Sequence, residues 1–229
     1  MNVALAIMVK QPAPGRVKTR LCPPLTPEQA TDLYRCFLLD KMAQVRRIAA
    51  ATPYLAFTPR EAESYFRDLA GETFSQVPQE GNDLGERLNH LSTHLLVAGH
   101  PGVVVIDSDT PSLPDRFLAE AVERMADPHA DAVFGPAEDG GYYLVGLRRS
   151  APALFRGITW STPVVLEQTL RAAAGTGLRV HLLPPWYDVD TGKDLGRLTR
   201  DLEGNGTMAR HTWAFLQAVR TGWLEGHPS

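Results

Sequence analysis

Gly102-Val103-Val104-Val105-Ile106 runs straight into Asp107-Ser108-Asp109-Thr110-Pro111. An apolar run with no polar alternation describes a strand covered on both faces, as in the middle of a parallel sheet. The acidic residues then fall just past its carboxyl end, where open α/β sheets bind their ligands.

Working outward, short apolar runs alternate with longer amphipathic ones. Strands are predicted over Asn2–Val9, Pro53–Phe57, Thr73–Val77 and Leu178–Leu183. Helices are predicted from Thr26 to about Ala51, from Thr58 to Gly71, over Asp83–Ala98, over Pro114–Ala126 and from Thr162 to Ala174. Thr191–Glu203 and Thr207–Arg220 close the chain as helices. Thr26-Pro27-Glu28-Gln29 and Thr191 with Asp194 carry capping-box signals. One adjacent strand pair, Asp131–Phe134 and Tyr142–Leu147, breaks the alternation. The pattern is α/β: an open, mixed, mostly parallel Rossmann-like sheet flanked by helices. No repeat or low-complexity segment interrupts it. The expected organisation is one domain over residues 1–229, with 205–229 as a C-terminal helical extension.

Composition narrows the class of protein. The 229 residues are 44% hydrophobic and 21% charged, with a net charge of -3. That is an ordinary globular composition, not a disordered one. No apolar run is long enough to span a membrane. The apolar N-terminal run is too short and too early for a signal peptide, and no basic region precedes it. Cys22 and Cys36 make neither a disulfide framework nor a CxxC. A cytoplasmic location is expected. An acidic balance without a basic tract argues against a nucleic-acid partner.

The connection after the first strand, Lys10 to Leu25, is far longer than the usual two to six or so residues. Lys10, Arg16, Lys18 and Arg20 fall there with no acidic residue, beside Gly15 and two stiffening prolines. Such charge suits a polyphosphate, with arginine as a fork and lysine as a point charge. A solvated basic loop is the alternative. Neither GxGxxG nor a Walker A loop is present.

Asp107 and Asp109, two residues apart past a buried strand, can share one divalent cation, or they can be turn and cap residues. Asp188 and Asp190 form a second acidic pair, while Asp194 reads as a cap. Glu138-Asp139-Gly140-Gly141 is first of all a hairpin turn. Its glycines would also let backbone approach a ligand. Trp160, Trp186 and Tyr187 read as core or as the lining of an acceptor pocket. His90 and His94 lack a third zinc ligand. No GxSxG or Cys/His pair supports covalent catalysis.

Four motifs occur in order: Lys10-x-Pro-x-Pro-Gly-x-Val-Lys-Thr-Arg-Leu, Ser108-Asp109-x-Pro-x-Leu, Gly135-Pro-x-x-Asp139-Gly-Gly-Tyr-Tyr and Asp188-x-Asp190-Thr-x-x-Asp194-Leu. From about residue 3 to 200 the chain resembles a bacterial branch of the nucleotide-diphospho-sugar transferase (GT-A) superfamily. Members of that branch carry the label glycosyltransferase, some by name in arsenosugar biosynthesis. It is similar also to the 2-phospholactate guanylyltransferases. The resemblance implies a GT-A fold, a nucleotide or nucleotide-sugar partner, a small-molecule acceptor, and Mg²⁺ or Mn²⁺. Lys18 and Arg20 would hold phosphates, assisted by Lys10, Gly15 and Arg16. Asp109 and Asp190 would hold the metal, and Lys18 and Asp109 would carry the chemistry. Asp139, Gly140, Gly141 and Trp160 would face substrate. Relatives usually carry glycine at Asp107, so the metal ligand lies open between Asp107 and Asp109, with Asp109 favoured.

The expected reaction is glycosyl transfer from a nucleotide-sugar. The alternatives are nucleotidyl transfer with pyrophosphate release, and an inactive nucleotide-binding sensor. One compositional oddity bears on the site. Of the 23 Lys+Arg, 19 are arginine, and the lysines are Lys10, Lys18, Lys41 and Lys193. Genome bias toward arginine explains the count, but surviving lysines should mark places that need a compact ammonium. On that ground Lys18→Arg is expected to impair activity, and Lys41→Arg to be silent.

Overall fold

The apolar run is a strand, β4 (Val103–Ile106), in a computed structural model that describes residues 2–225. β1 (Val3–Lys10) lies parallel to it, with Ala4 opposite Val103 and Ile7 opposite Ile106. β2 (Ala51–Thr58) and β3 (Ser75–Pro78) extend the parallel set beyond β1. On the other side, β6 (Tyr142–Leu147) runs antiparallel between β4 and β5 (Ala132–Pro136). β7 (Val180–Leu182) is parallel to β5. The order is β3-β2-β1-β4-β6-β5-β7. β6 alone is reversed, because it returns from the β5 hairpin.

The chain forms two compact units. The first comprises residues 1–11, 45–107 and 114–188. It contains the whole sheet with α2 (Glu63–Ala70), α3 (Leu84–Val97), α4 (Asp115–Ala126) and α5 (Val165–Gly175). Alternate strand residues point to opposite faces. Val103 and Val105 of β4 join Leu88, Leu91 and Leu95 of α3 and Ala173 of α5 in one apolar cluster. α4 packs against β1, β4, β5 and β6 and buries Phe117, Leu118, Ala121, Val122 and Met125. Helices cover the sheet in this unit, which is why β4 carries no polar residue.

The second unit comprises residues 12–44, 108–113 and 189–229. Its helices are nearly all of α1 (Pro27–Arg46), with α6 (Gly192–Glu203) and α7 (Arg210–Glu225). Its three segments begin just after β1, just after β4 and a few residues after β7, which are the connections singled out from the sequence. Residues 226–229 of the expected C-terminal extension lie outside the described residues. Among the described residues no helix is long and apolar enough to cross a membrane.

Local chemistry accounts for the helix starts. At α1, the Thr26 amide donates to Gln29 Oε1 at 2.9 Å and the Gln29 amide to Thr26 Oγ1 at 3.2 Å, a reciprocal cap. Asp83 caps α3 by accepting from the Glu86 amide at 2.8 Å. Thr191 and Asp194 form the capping box of α6.

Two boundaries differ from the predicted ones for tertiary reasons. β2 begins at Ala51 because all eight of its residues pair with β1. The last helix begins at Arg210 rather than Thr207, and its cap comes from a distant residue. Buried Asp40 of α1 accepts the His211 amide at 3.0 Å and the Thr212 amide at 2.8 Å. A carboxylate here satisfies two amides that a helix cannot pair itself, and it complements the helix dipole. Asp40→Ala should lower unfolding free energy by about 2 kcal/mol in a denaturant titration, whereas Asp40→Asn, which keeps an acceptor, should lose less.

Candidate functional site

Lys18 organises the second unit. Val17, Leu21 and Leu25 are buried and anchor the basic loop. Between these anchors Lys18 adopts a left-handed backbone, φ 48° and ψ 34°, at the start of a single 3-10 turn over Thr19–Leu21. A lysine in this region costs about 1–3 kcal/mol and persists only where surroundings over-determine it. Its ammonium supplies that determination. Nζ lies 2.8 Å from Asp109 Oδ1, 3.0 Å from Asp190 Oδ1 and 2.8 Å from the Val189 carbonyl. An ammonium has three N–H donors, and here three acceptors receive them. The side chain is 5% exposed, against 36% for Asp109 and 40% for Asp190. Burial alone would lower the lysine pKa. Asp109 and Asp190 outweigh it and raise the value above the ordinary range, so the charge is permanent at physiological pH.

The carboxylates are held independently of the lysine. The Val189 amide donates to the Asp109 carbonyl at 2.9 Å, tying the two acidic segments backbone to backbone. Asp190 directly precedes the Thr191 cap of α6, and Asp194 Oδ2 accepts the Thr191 amide at 2.8 Å. Asp194 is thus a capping residue, as its spacing predicted. Exposed Arg20 stands 3.8 Å from Asp190 Oδ2. Gly15 and Arg16 lie exposed on the same loop, where the Arg16 amide closes a turn on the Ala13 carbonyl. Lys18, Arg20, Asp109 and Asp190 are therefore brought together.

The other candidates belong to the first unit. Lys10 ends β1, exposed, opposite Thr58. The Asp107 amide donates to the Tyr143 carbonyl at 3.1 Å. Burial, with the charges of Asp107 and Glu120, pushes the Tyr143 phenol pKa up. Asp139 Oδ1 accepts the Gly141 amide at 2.9 Å in the turn between β5 and β6. At Gly140 the close approach is internal. Its φ is +92°, and an added Cβ would stand 2.0 Å from the Pro163 carbonyl oxygen. The Leu166 amide donates to the Gly140 carbonyl at 2.9 Å. Gly140 thus fits the hairpin against the start of α5. Trp160 packs against the apolar cluster, beside Gly85 and edge-on to Tyr142 at 6.3 Å.

One sequence expectation is overturned. Lys41 is 1% exposed, and its Nζ donates to Gln44 Oε1 at 3.0 Å, Thr110 O at 2.7 Å and Thr110 Oγ1 at 3.0 Å. A planar guanidinium does not match a closed site built for a tetrahedral ammonium, so Lys41→Arg is now expected to disturb the packing here rather than to be silent. The missed signal was positional. Tyr34, Lys41 and Gln44 fall at helical spacing among the buried Leu33, Phe37, Leu38, Met42 and Val45. Polar residues on an apolar stripe have partners to meet.

Gly140→Ala should destabilise the fold by about 1–3 kcal/mol in denaturant unfolding through overpacking and left-handed strain. Lys18→Arg keeps charge but cannot reproduce the three-acceptor geometry. It should leave the circular dichroism spectrum unchanged while weakening triphosphate binding about tenfold by calorimetry.

Comparison with known proteins places this geometry. Residues 41–162 match the family DUF2064, described as uncharacterized protein conserved in bacteria. A crystal structure from Desulfovibrio desulfuricans G20, described as a candidate nucleotide-diphospho-sugar transferase, superimposes with a TM-score of 0.90. The two chains are 34% identical, and the match covers 96% of each. The 2-phospho-L-lactate guanylyltransferase of Methanothermobacter thermautotrophicus is 26% identical over 89% of this chain and 85% of its own. The fold alone is shared with 4-diphosphocytidyl-2C-methyl-D-erythritol synthase of Anaerococcus prevotii, at 8% identity and a TM-score of 0.59 over 88% and 96% of the two chains. These relatives are nucleotide-using transferases, and this chain, a transferase of the same fold, belongs to the DUF2064 family.

Proposed function

We propose that the protein is a metal-dependent nucleotidyltransferase that joins a nucleoside triphosphate to a small phosphorylated acceptor and releases pyrophosphate. The observation that carries this reading is the buried ammonium of Lys18, set between Asp109 and Asp190 with Arg20 beside them. The named activity of the guanylyltransferase relative supports it.

In the reaction an acceptor phosphate oxygen attacks the α-phosphorus. The bond from that phosphorus to the bridging oxygen breaks, and pyrophosphate leaves with the bonding pair. The chain's task is to hold the phosphates in line and offset charge as it builds on the leaving group. Lys18 spends its three N–H groups on Asp109, Asp190 and the Val189 carbonyl, so its part is to fix the two carboxylates and to set a permanent positive charge behind them. Arg20 is exposed and offers a fork to phosphate oxygens. Each fixed donor of this kind is worth about 2.7–4 kcal/mol in the transition state.

Asp109 and Asp190 fit a divalent cation. They are hard oxygen donors, each with one oxygen on Lys18 Nζ and each partly exposed, and Mg²⁺ takes one or two carboxylates with water and phosphate oxygens completing its shell. Among the described residues no group of three or more His, Cys, Asp or Glu side chains that could hold a metal is assembled. When bound, the cation would neutralise charge on the phosphates.

A second reading, glycosyl transfer from a nucleotide-sugar, is favoured by the description of the Desulfovibrio relative. One incubation separates the two. With nucleoside triphosphates and phosphorylated hydroxy acids, beginning with GTP and 2-phospholactate, pyrophosphate should appear only with Mg²⁺ or Mn²⁺ and should vanish with chelator. Acceptor-dependent release of nucleoside diphosphate from nucleotide-sugars would instead establish glycosyl transfer. Tight nucleotide binding without turnover would establish a sensor. On the confirmed substrate, Lys18→Ala should lower kcat by about 10²–10³. An unchanged kcat would remove Lys18 from the chemistry.

A further inference from the structure

We propose that Lys41 is a positioning residue, which sets Asp109 for cation binding by fixing the backbone beside it. The inference rests on the reading of Asp109 as a metal-binding carboxylate. Asp109 sits on a six-residue segment, Ser108–Leu113, between β4 and α4, with no regular secondary structure to hold it. Ser108, Thr110, Ser112 and Leu113 are each at most 5% exposed, while the Asp109 side chain is 36% exposed. The segment is thus buried on both sides of a single presented carboxylate.

One face of α1 holds it. Lys41 donates to both the carbonyl and the hydroxyl of Thr110, the residue after Asp109, at 2.7 and 3.0 Å. Two contacts to one residue fix its backbone and its side-chain rotamer together. Tyr34 shares a hydrogen bond with Ser108, the residue before Asp109, at 3.0 Å. Gln44 accepts from Lys41 and donates to the Leu113 carbonyl. Lys41 is the centre of this clamp because it touches both Gln44 and Thr110.

Stability by itself does not call for an ammonium here. Burying a charge is costly, and apolar replacements of buried polar networks are often neutral or stabilising. What an apolar side chain cannot do is direct three N–H bonds, two of them onto one residue. That is a requirement of geometry, and the geometry concerned is that of Asp109.

The test uses the full chain, with Mn²⁺ as the probe. Mn²⁺ binding is read by electron paramagnetic resonance, and loop order by hydrogen exchange at Leu113, whose amide donates to the Thr110 carbonyl at 3.1 Å. Lys41→Met should weaken Mn²⁺ binding about tenfold or more and accelerate Leu113 exchange. Thr110→Val removes only the hydroxyl contact. It should shift both in the same direction by less, and it carries the test if Lys41→Met fails to fold. Asp40→Asn should lower stability without moving Mn²⁺ affinity, which separates positioning from general weakening. Wild-type Mn²⁺ affinity in folded Lys41→Met, or in Thr110→Val where that variant stands in, would overturn the proposal. If the wild-type chain binds no Mn²⁺, the metal reading of Asp109 falls. The cation-binding role of Lys41 falls with it, and Leu113 exchange then reports only whether Lys41 holds the segment's backbone.

Discussion

The Lys18 ammonium and its three acceptors tie the second unit together. One acceptor comes from the segment after β4 and two from the segment after β7, while the lysine follows β1. A tetrahedral cation at the meeting point of three irregular connections does what no secondary structure there can do. It fixes the segment after β1 against the two acidic segments, which the Val189–Asp109 backbone hydrogen bond already joins. The left-handed backbone at Lys18 and the burial of its side chain are costs, and both are offset by the same two carboxylates that raise its pKa.

That arrangement explains why the site is both rigid and available. Asp109 and Asp190 are partly exposed, whereas the lysine between them is not. The oxygens face outward and the cation stays behind them, so an incoming ligand meets carboxylates backed by fixed positive charge. Arg20, exposed and 3.8 Å from Asp190, adds a second cation beside them.

The same chemistry occurs twice. Lys41, like Lys18, is a buried ammonium with three acceptors, but they are Gln44 and Thr110 rather than the carboxylates of the site. The scarcity of lysine is legible in composition; of the four, Lys18 and Lys41 are buried ammoniums, and Lys10 and Lys193 are exposed. Ranking the four lysines by their segment finds Lys18 and misses Lys41, because Lys41 stands in the middle of an ordinary amphipathic helix. Lys193 shows the converse. It lies in a flagged segment and is exposed on the first turn of α6. Gly140 is similar: its motif suggests approach to a ligand, and the neighbour it admits is the Pro163 backbone.

By itself the sequence determined what short-range physics controls. Apolar runs of strand length, capping pairs such as Thr26 with Gln29, and the long basic connection are properties of neighbouring residues, and the strands lie within a few residues of where they were read, whereas the helix start read at Thr58 falls inside β2 and the helix begins at Glu63. The carboxylates past β4 and before α6 were legible for the same reason. Only the tertiary structure decided which charges meet. Lys18 and Asp190 are 172 positions apart, and nothing local couples them. Their pairing depends on which connections the packed helices bring together, as does the placing of Lys41 beneath Thr110. A side chain's residue type and spacing belong to the chain. Its burial and its partners belong to the packing, and those two quantities set the charge state and geometry on which a site depends.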